Sequence, residues 1–173
     1  MILKQAAVSI VMAGCLTGAG MFVPVAANAQ DSRVEAAMKL LKAKANELGS
    51  PKIEGTDSVA GKQVPAIYFG STKMNNDFTL VDEVVKEVGG TATIFVKSGD
   101  EYVRVATNVT KDDGSRAVGT ILDPKGKAIE SIRSDEAFYG NVDILGKAYV
   151  AGYDPIRDAE KHVIGIYYVG YLK

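Results

Sequence analysis

Hydrophobic positions along this chain change period repeatedly, and each change marks an element. Ser32-Arg33-Val34-Glu35 has the form of a helix-capping box, and Val34, Met38, Leu41, Ala45 and Leu48 then recur at helical spacing until Gly49 and Pro51. The pattern predicts an amphipathic helix over 32–48 whose charged side, with Arg33, Lys39, Lys42 and Glu47, faces solvent. The polar, glycine-containing stretch from Pro51 to Lys62 reads as a loop, and Val64 to Phe69 as a first strand. A second helix is expected to begin at Asn75–Asp77, with Thr79-x-x-Asp82 as a further capping signal, Val81, Val84, Val85 and Val88 on its buried side, and Gly89-Gly90 as its stop. Valine disfavours a helix locally, so burial has to hold this segment helical.

From Thr91 the period becomes two. Ala92, Ile94 and Val96 alternate with Thr91, Thr93 and Phe95, and Ser98-Gly99-Asp100 marks a hairpin turn into a strand over Tyr102–Asn108. Strict alternation puts Val103, Val105 and Thr107 on one face of that strand and Tyr102, Arg104 and Ala106 on the other. Lys111–Ser115 reads as a polar loop, Pro124–Arg133 as a short helix, and Phe138–Leu145, Ala148–Tyr153 and His162–Tyr171 as three further strands. Helices come first and strands segregate late, which is an α+β order with a mostly antiparallel sheet.

The first 29 residues stand apart. Lys4, an uncharged run of 22 residues from Ala6 to Ala27, and the small-x-small triplet Ala27-Asn28-Ala29 before Gln30 have the form of a secretory signal peptide. An uncleaved membrane anchor and a lipidated Cys15 in Met12-Ala13-Gly14-Cys15 are the alternatives. All three put residues 30–173, one domain by length, outside the cytoplasm, periplasmic or secreted.

Composition narrows the chemistry. The formal charge of −1 from 20 basic and 21 acidic residues does not supply the clustered cations that a nucleic-acid binder needs. The single cysteine, Cys15, lies in the leader and the single histidine is His162, so the mature chain has no Cys/His metal set, disulfide or Cys–His pair. No cofactor or metal is expected. Gly140–Lys147 misses the phosphate-loop spacing, Asp112-Asp113-Gly114 lacks the alternating ligands of a calcium loop, and no nucleophile–base pair can be assembled. An enzyme is not expected. Arg104 is the unusual residue, because a guanidinium between Val103 and Val105 needs an anionic or carbonyl partner. That partner is either a ligand or a protein carboxylate, unless the side chain snorkels to the surface. Thr107 shares a pocket with Arg104 only through a strand bulge or at the strand's end. Tyr139, Tyr149 and Tyr153 recur on the later strands, as core or as the lining of a small carboxylate cavity.

At these residues the sequence resembles a known family. Val64-Pro-Ala-Ile-Tyr-Phe-Gly70, Thr91-Ala-Thr-Ile-Phe95, Tyr102-Val-Arg-Val-Ala-Thr-Asn108, Asp113-Gly-Ser-Arg-Ala-Val-Gly-Thr120, Tyr153-Asp-Pro-Ile-Arg-Asp158 and Ile164-Gly-Ile-Tyr-Tyr-Val-Gly170 are similar to the extracellular single Cache domain of bacterial chemoreceptors and sensor kinases, of the type-3/type-2 fusion variety. The resemblance runs from Ser32 to Tyr171 in six blocks. It implies a PAS-like five- to six-stranded sheet with a long N-terminal helix on one face and short helices beside a ligand pocket on the other. In related sensors an Arg-x-x-His or similar pair on the central strand grips small carboxylates, and Arg104-x-x-Thr107 is similar to that pair with threonine in place of histidine. The expected ligand is therefore a small organic carboxylate, held by Arg104 with Thr107, Arg116, Tyr139, Tyr149 and Tyr153 as candidate hydrogen-bonders. Family members usually continue into a transmembrane helix and a signalling module, whereas this sequence stops at Lys173. The expectation is a stand-alone sensory or solute-binding domain for a separate membrane receptor or transporter, with a homodimer left open. The alternative is a membrane-tethered accessory protein that meets a receptor through its N-terminal helix and binds no small molecule.

Overall fold

The computed structural model describes residues 29–173. The apolar run of the leader, Cys15 and the start of the Ala27-Asn28-Ala29 triplet lie outside the described residues, and so do the three readings built on them. Helix α1 spans Ala29–Leu48 and buries Val34, Ala37, Met38, Leu41 and Ala45 against the sheet. Ser32 lies inside the described helix, which already includes Ala29, Gln30 and Asp31, and not at an N-cap position.

Five antiparallel strands form the main sheet: β4 (Thr91–Ser98), β5 (Glu101–Thr107), β6 (Phe138–Ile144), β7 (Lys147–Arg157) and β8 (Val163–Leu172), in the order β5-β4-β8-β7-β6. A second sheet of three strands, β1 (Pro51–Val59), β2 (Lys62–Phe69) and β3 (Thr72–Lys73), packs beside it. The expected loop over 51–62 is thus mostly a strand. Side chains of β1 are nearly all outside the core, so no apolar alternation signals it, and its main-chain hydrogen bonds to β2 hold it in place. Ile53 pairs with Ile67 and Thr56 with Pro65, an irregularity absorbed at Gly55 with φ 70°. Strand β7 also outruns its expected end at Tyr153. Pairing with β6 stops at that residue, so Pro155 lies where one edge of β7 needs no donor.

Helix α2 (Thr79–Val88) starts later than its sequence suggests. Asn75 is buried, accepts the Ile67 amide at 2.9 Å and donates to the Pro65 carbonyl at 3.1 Å, which pins 74–76 to β2 in a non-helical path. The first turn is satisfied by Asp77, whose carboxylate accepts the Thr79 amide at 2.9 Å, and no Thr79–Asp82 box forms. Val81 and Val84 are buried as expected. Helices α1 and α2 cover one face of the main sheet, over a core that includes Ile94, Val96, Val105 and Val169. The opposite face carries Phe95, Tyr102, Tyr149, Tyr153, Ile166 and Tyr168 and is covered by Leu122 and the short helix α3 (Lys127–Arg133). This is a PAS-like α+β fold with the long N-terminal helix on one side and the short helix on the other.

Candidate functional site

The site begins with an irregularity between β4 and β5. Phe95 pairs with Arg104 and Ile94 with Ala106, which leaves Val105 as an extra residue. The bulge reverses the alternation beyond it. Thr107, opposite Thr93, therefore shares the face of Phe95 and Arg104, while Ala106 turns to the α1 side with Val103 and Val105. Alternation had predicted the opposite placement of Thr107 and Ala106.

Arg104 is 4% exposed. Residues 119–122 run along the outer edge of β5, with hydrogen bonds from the Arg104 amide to the Thr120 carbonyl, from Gly119 to Arg104 and from Leu122 to Tyr102, each 2.9 Å. This strap carries the only side-chain hydrogen-bond partner of the guanidinium among the described residues: Nη1 donates to Thr120 Oγ1 at 2.6 Å. The Thr120 hydroxyl in turn donates to the Ala117 carbonyl at 2.8 Å. The guanidinium carbon lies 4.9 Å from the centre of the Phe95 ring, and Nε has no partner. Among the described residues no carboxylate comes within 4.0 Å of Arg104, so neither an internal ion pair nor surface snorkelling accounts for it. Burial pushes its pKa down, and Tyr153, Tyr168 and Tyr149 nearby push the other way. An arginine stays charged under such pressure. What results is a desolvated cation short of one hydrogen bond and, among the described residues, of a counter-charge.

That cation opens on a cavity of about 450 Å³. Leu122, Ala128, Ile144 and Tyr153 supply much of its wall, and Asp123 and Lys127 stand at its mouth. Tyr153 packs on Tyr168 with ring centres 4.9 Å apart, and Tyr168 is fixed by a 2.9 Å hydrogen bond to Thr91 Oγ1. Burial raises the pKa of both hydroxyls far above the ordinary tyrosine value, so both stay neutral and cannot balance Arg104 as phenolates.

Residues 19–173 match the Cache 3/Cache 2 fusion domain. The chain belongs to this family. A comparison with curated proteins finds no match. Cache domains are non-catalytic sensory modules and typically act outside the cytoplasm, and the helix–sheet–helix layering described above is the one expected of this Cache domain. No group of three His, Cys, Asp or Glu side chains that could hold a metal occurs among the described residues.

Of the six residues singled out in the sequence, the structure brings Arg104 and Tyr153 together at the cavity. Tyr149 is buried in the same apolar cluster. Thr107 is on the right face but its hydroxyl is engaged by Thr93 Oγ1 at 2.6 Å and by the Val109 amide at 3.1 Å. Arg116 points away from the cavity: it grips Asp82 of α2 with two 2.8 Å hydrogen bonds, reaches the Thr107 carbonyl at 2.8 Å and covers the Phe78 ring. Tyr139 is 44% exposed, and its ring lies over Gly152 beside Val34 on the α1 side. Thr120, Asp123 and Tyr168 belong to the site without having been singled out. Thr120 and Tyr168 lie within the sequence blocks of the family, but only the bulge and the strap reveal what they touch.

Proposed function

We propose that this Cache domain, residues 30–173 freed of the leader 1–29, is exported, binds a small organic carboxylate over Arg104, and presents or sequesters it beside a separate membrane receptor or transporter. The observation that carries the reading is the buried Arg104 guanidinium, which has a free Nε, no counter-ion among the described residues and an adjoining cavity. A carboxylate in that cavity supplies both missing elements, and charge-assisted hydrogen bonds are the strong ones. The Tyr153 hydroxyl, held neutral, is the neighbouring donor.

Thermal unfolding against a panel of short mono- and dicarboxylates tests it. A ligand at about 100 times its Kd stabilises the native state by roughly 2.7 kcal/mol, a rise of several degrees for a domain of this size. A melting temperature unmoved by every member of the panel would return the accessory, non-binding role to the front. Mass spectrometry of the exported protein tests the boundary: the mature chain is expected to begin at Gln30, and an intact N-terminus or a lipidated Cys15 would refute it.

A further inference from the structure

Charge in the cavity is sorted by depth. Arg104 and Tyr153 are buried at its inner end, whereas Asp123, Lys127 and Asp143 are exposed at its mouth. The two carboxylates at the mouth differ. Asp143 turns an oxygen back onto the Gly146 amide at 2.9 Å, in the turn between β6 and β7. Asp123 has one oxygen held by the Lys125 amide at 3.0 Å, and its other oxygen lies over Gly126, where an added Cβ would approach to 3.2 Å. No lysine or arginine among the described residues pairs with Asp123. Its field reaches inward, since it opposes ionisation of the Tyr153 hydroxyl. One oriented carboxylate thus stands at the mouth of a cavity whose inner end holds an unpaired cation.

Taking the cavity as a carboxylate site, we infer that its ligand also carries a cationic nitrogen: the carboxylate lies inward on Arg104, the ammonium outward beside Asp123, and an apolar body against Leu122, Ala128 and Ile144. The four charged side chains of the cavity, two cationic and two anionic, sum to zero. A net-neutral zwitterion keeps that balance. A dicarboxylate would bring its second negative charge to a mouth whose three charged side chains, Asp123, Asp143 and Lys127, leave a net charge of −1, and like charges repel.

Isothermal titration of the purified protein with matched pairs, leucine against isocaproate and γ-aminobutyrate against butyrate, tests the inference. In at least one pair the aminated member is expected to bind about tenfold or more tighter, which is roughly 1.4 kcal/mol. Asp123→Asn, an exposed substitution checked for native circular dichroism, should bring that ratio close to one, and Arg104→Met should remove binding of both members. Plain carboxylates that bind as well as or better than their aminated partners in both pairs would overturn the inference while leaving the carboxylate site standing. A preference that survives Asp123→Asn would overturn it too. Absence of heat with all four compounds would instead sink the carboxylate reading on which it rests.

Discussion

Arg104 is where this protein departs most from ordinary core chemistry, and its energetics are testable without a ligand. Removing one partner of a buried ion pair typically costs about 3–5 kcal/mol, because the other charge is stranded. Here no charge among the described residues would be stranded, and the desolvation of the guanidinium itself would be relieved. Arg104→Met keeps much of the volume and should raise the unliganded free energy of unfolding by about 1–3 kcal/mol in urea, while abolishing the response to carboxylates. A large loss of stability in that variant would mean that a protein group balances Arg104 after all. Thr120→Val makes the complementary change, since it leaves Nη1 without its acceptor and takes the hydroxyl donor from the Ala117 carbonyl, which keeps only the Thr120 amide at 3.3 Å. A loss of about 1–3 kcal/mol is expected, and it should shrink when Arg104→Met is already present, because part of it belongs to the pair.

Among the elements, the junctions are the sensitive places. The end of α1 passes so close to the turn between β2 and β3 that a Cβ on Gly70 would collide with the Leu48 carbonyl oxygen, and Gly70 has φ 58°. Gly70→Ala would have to move main chain against main chain. A destabilisation of at least about 3 kcal/mol is expected by chemical unfolding. The strap has a different weak point. Arg116 ties its start to α2 through Asp82, but both side chains of this pair are more than a third exposed, so global stability should barely register its loss. Arg116→Met should instead speed amide exchange at Ala117, Gly119 and Thr120, the segment that positions the acceptor for Arg104, with a melting temperature within a degree or two of wild type. Equal protection of those amides in both proteins would count against a latch.

For the molecule as a whole, the tyrosines set an alkaline limit. Burial raises the pKa of Tyr153, Tyr167 and Tyr168 well above the unfolded value of about 10. A folded pKa above the unfolded one means that the native state binds more protons between the two, so stability is fully present below about pH 10 and falls as pH rises toward the folded values. Tyrosinate absorbance in an alkaline titration should therefore show a late fraction that appears together with the loss of far-ultraviolet circular dichroism. Ionisation of all eight tyrosines ahead of unfolding would contradict the burial. At neutral pH a chelator should leave the melting curve unchanged, since the fold is stabilised by apolar layers on both faces of the sheet and by no metal cluster among the described residues.

Local patterns in the sequence determined the amphipathic stripe of α1, the valine face of α2, the Ser98-Gly99-Asp100 hairpin and the strands that follow, because each depends on spacing within a few residues. Arg104 was conspicuous for the same reason: a charge among core valines is a local anomaly. Tertiary structure decided the rest. Strand β1 exists through main-chain bonds to β2, which leave no imprint on side-chain period. The bulge at Val105 belongs to the pairing of β4 with β5 and not to either strand alone, and it turned Thr107 and Ala106 to faces opposite those that alternation assigns. Arg116 lies in a family block yet is drawn to Asp82, 34 positions earlier, and Arg104 receives its hydroxyl partner from 16 positions later. Side-chain period records which way a residue faces in an unbroken ladder; which group waits on that face is fixed by elements that meet only when the chain folds.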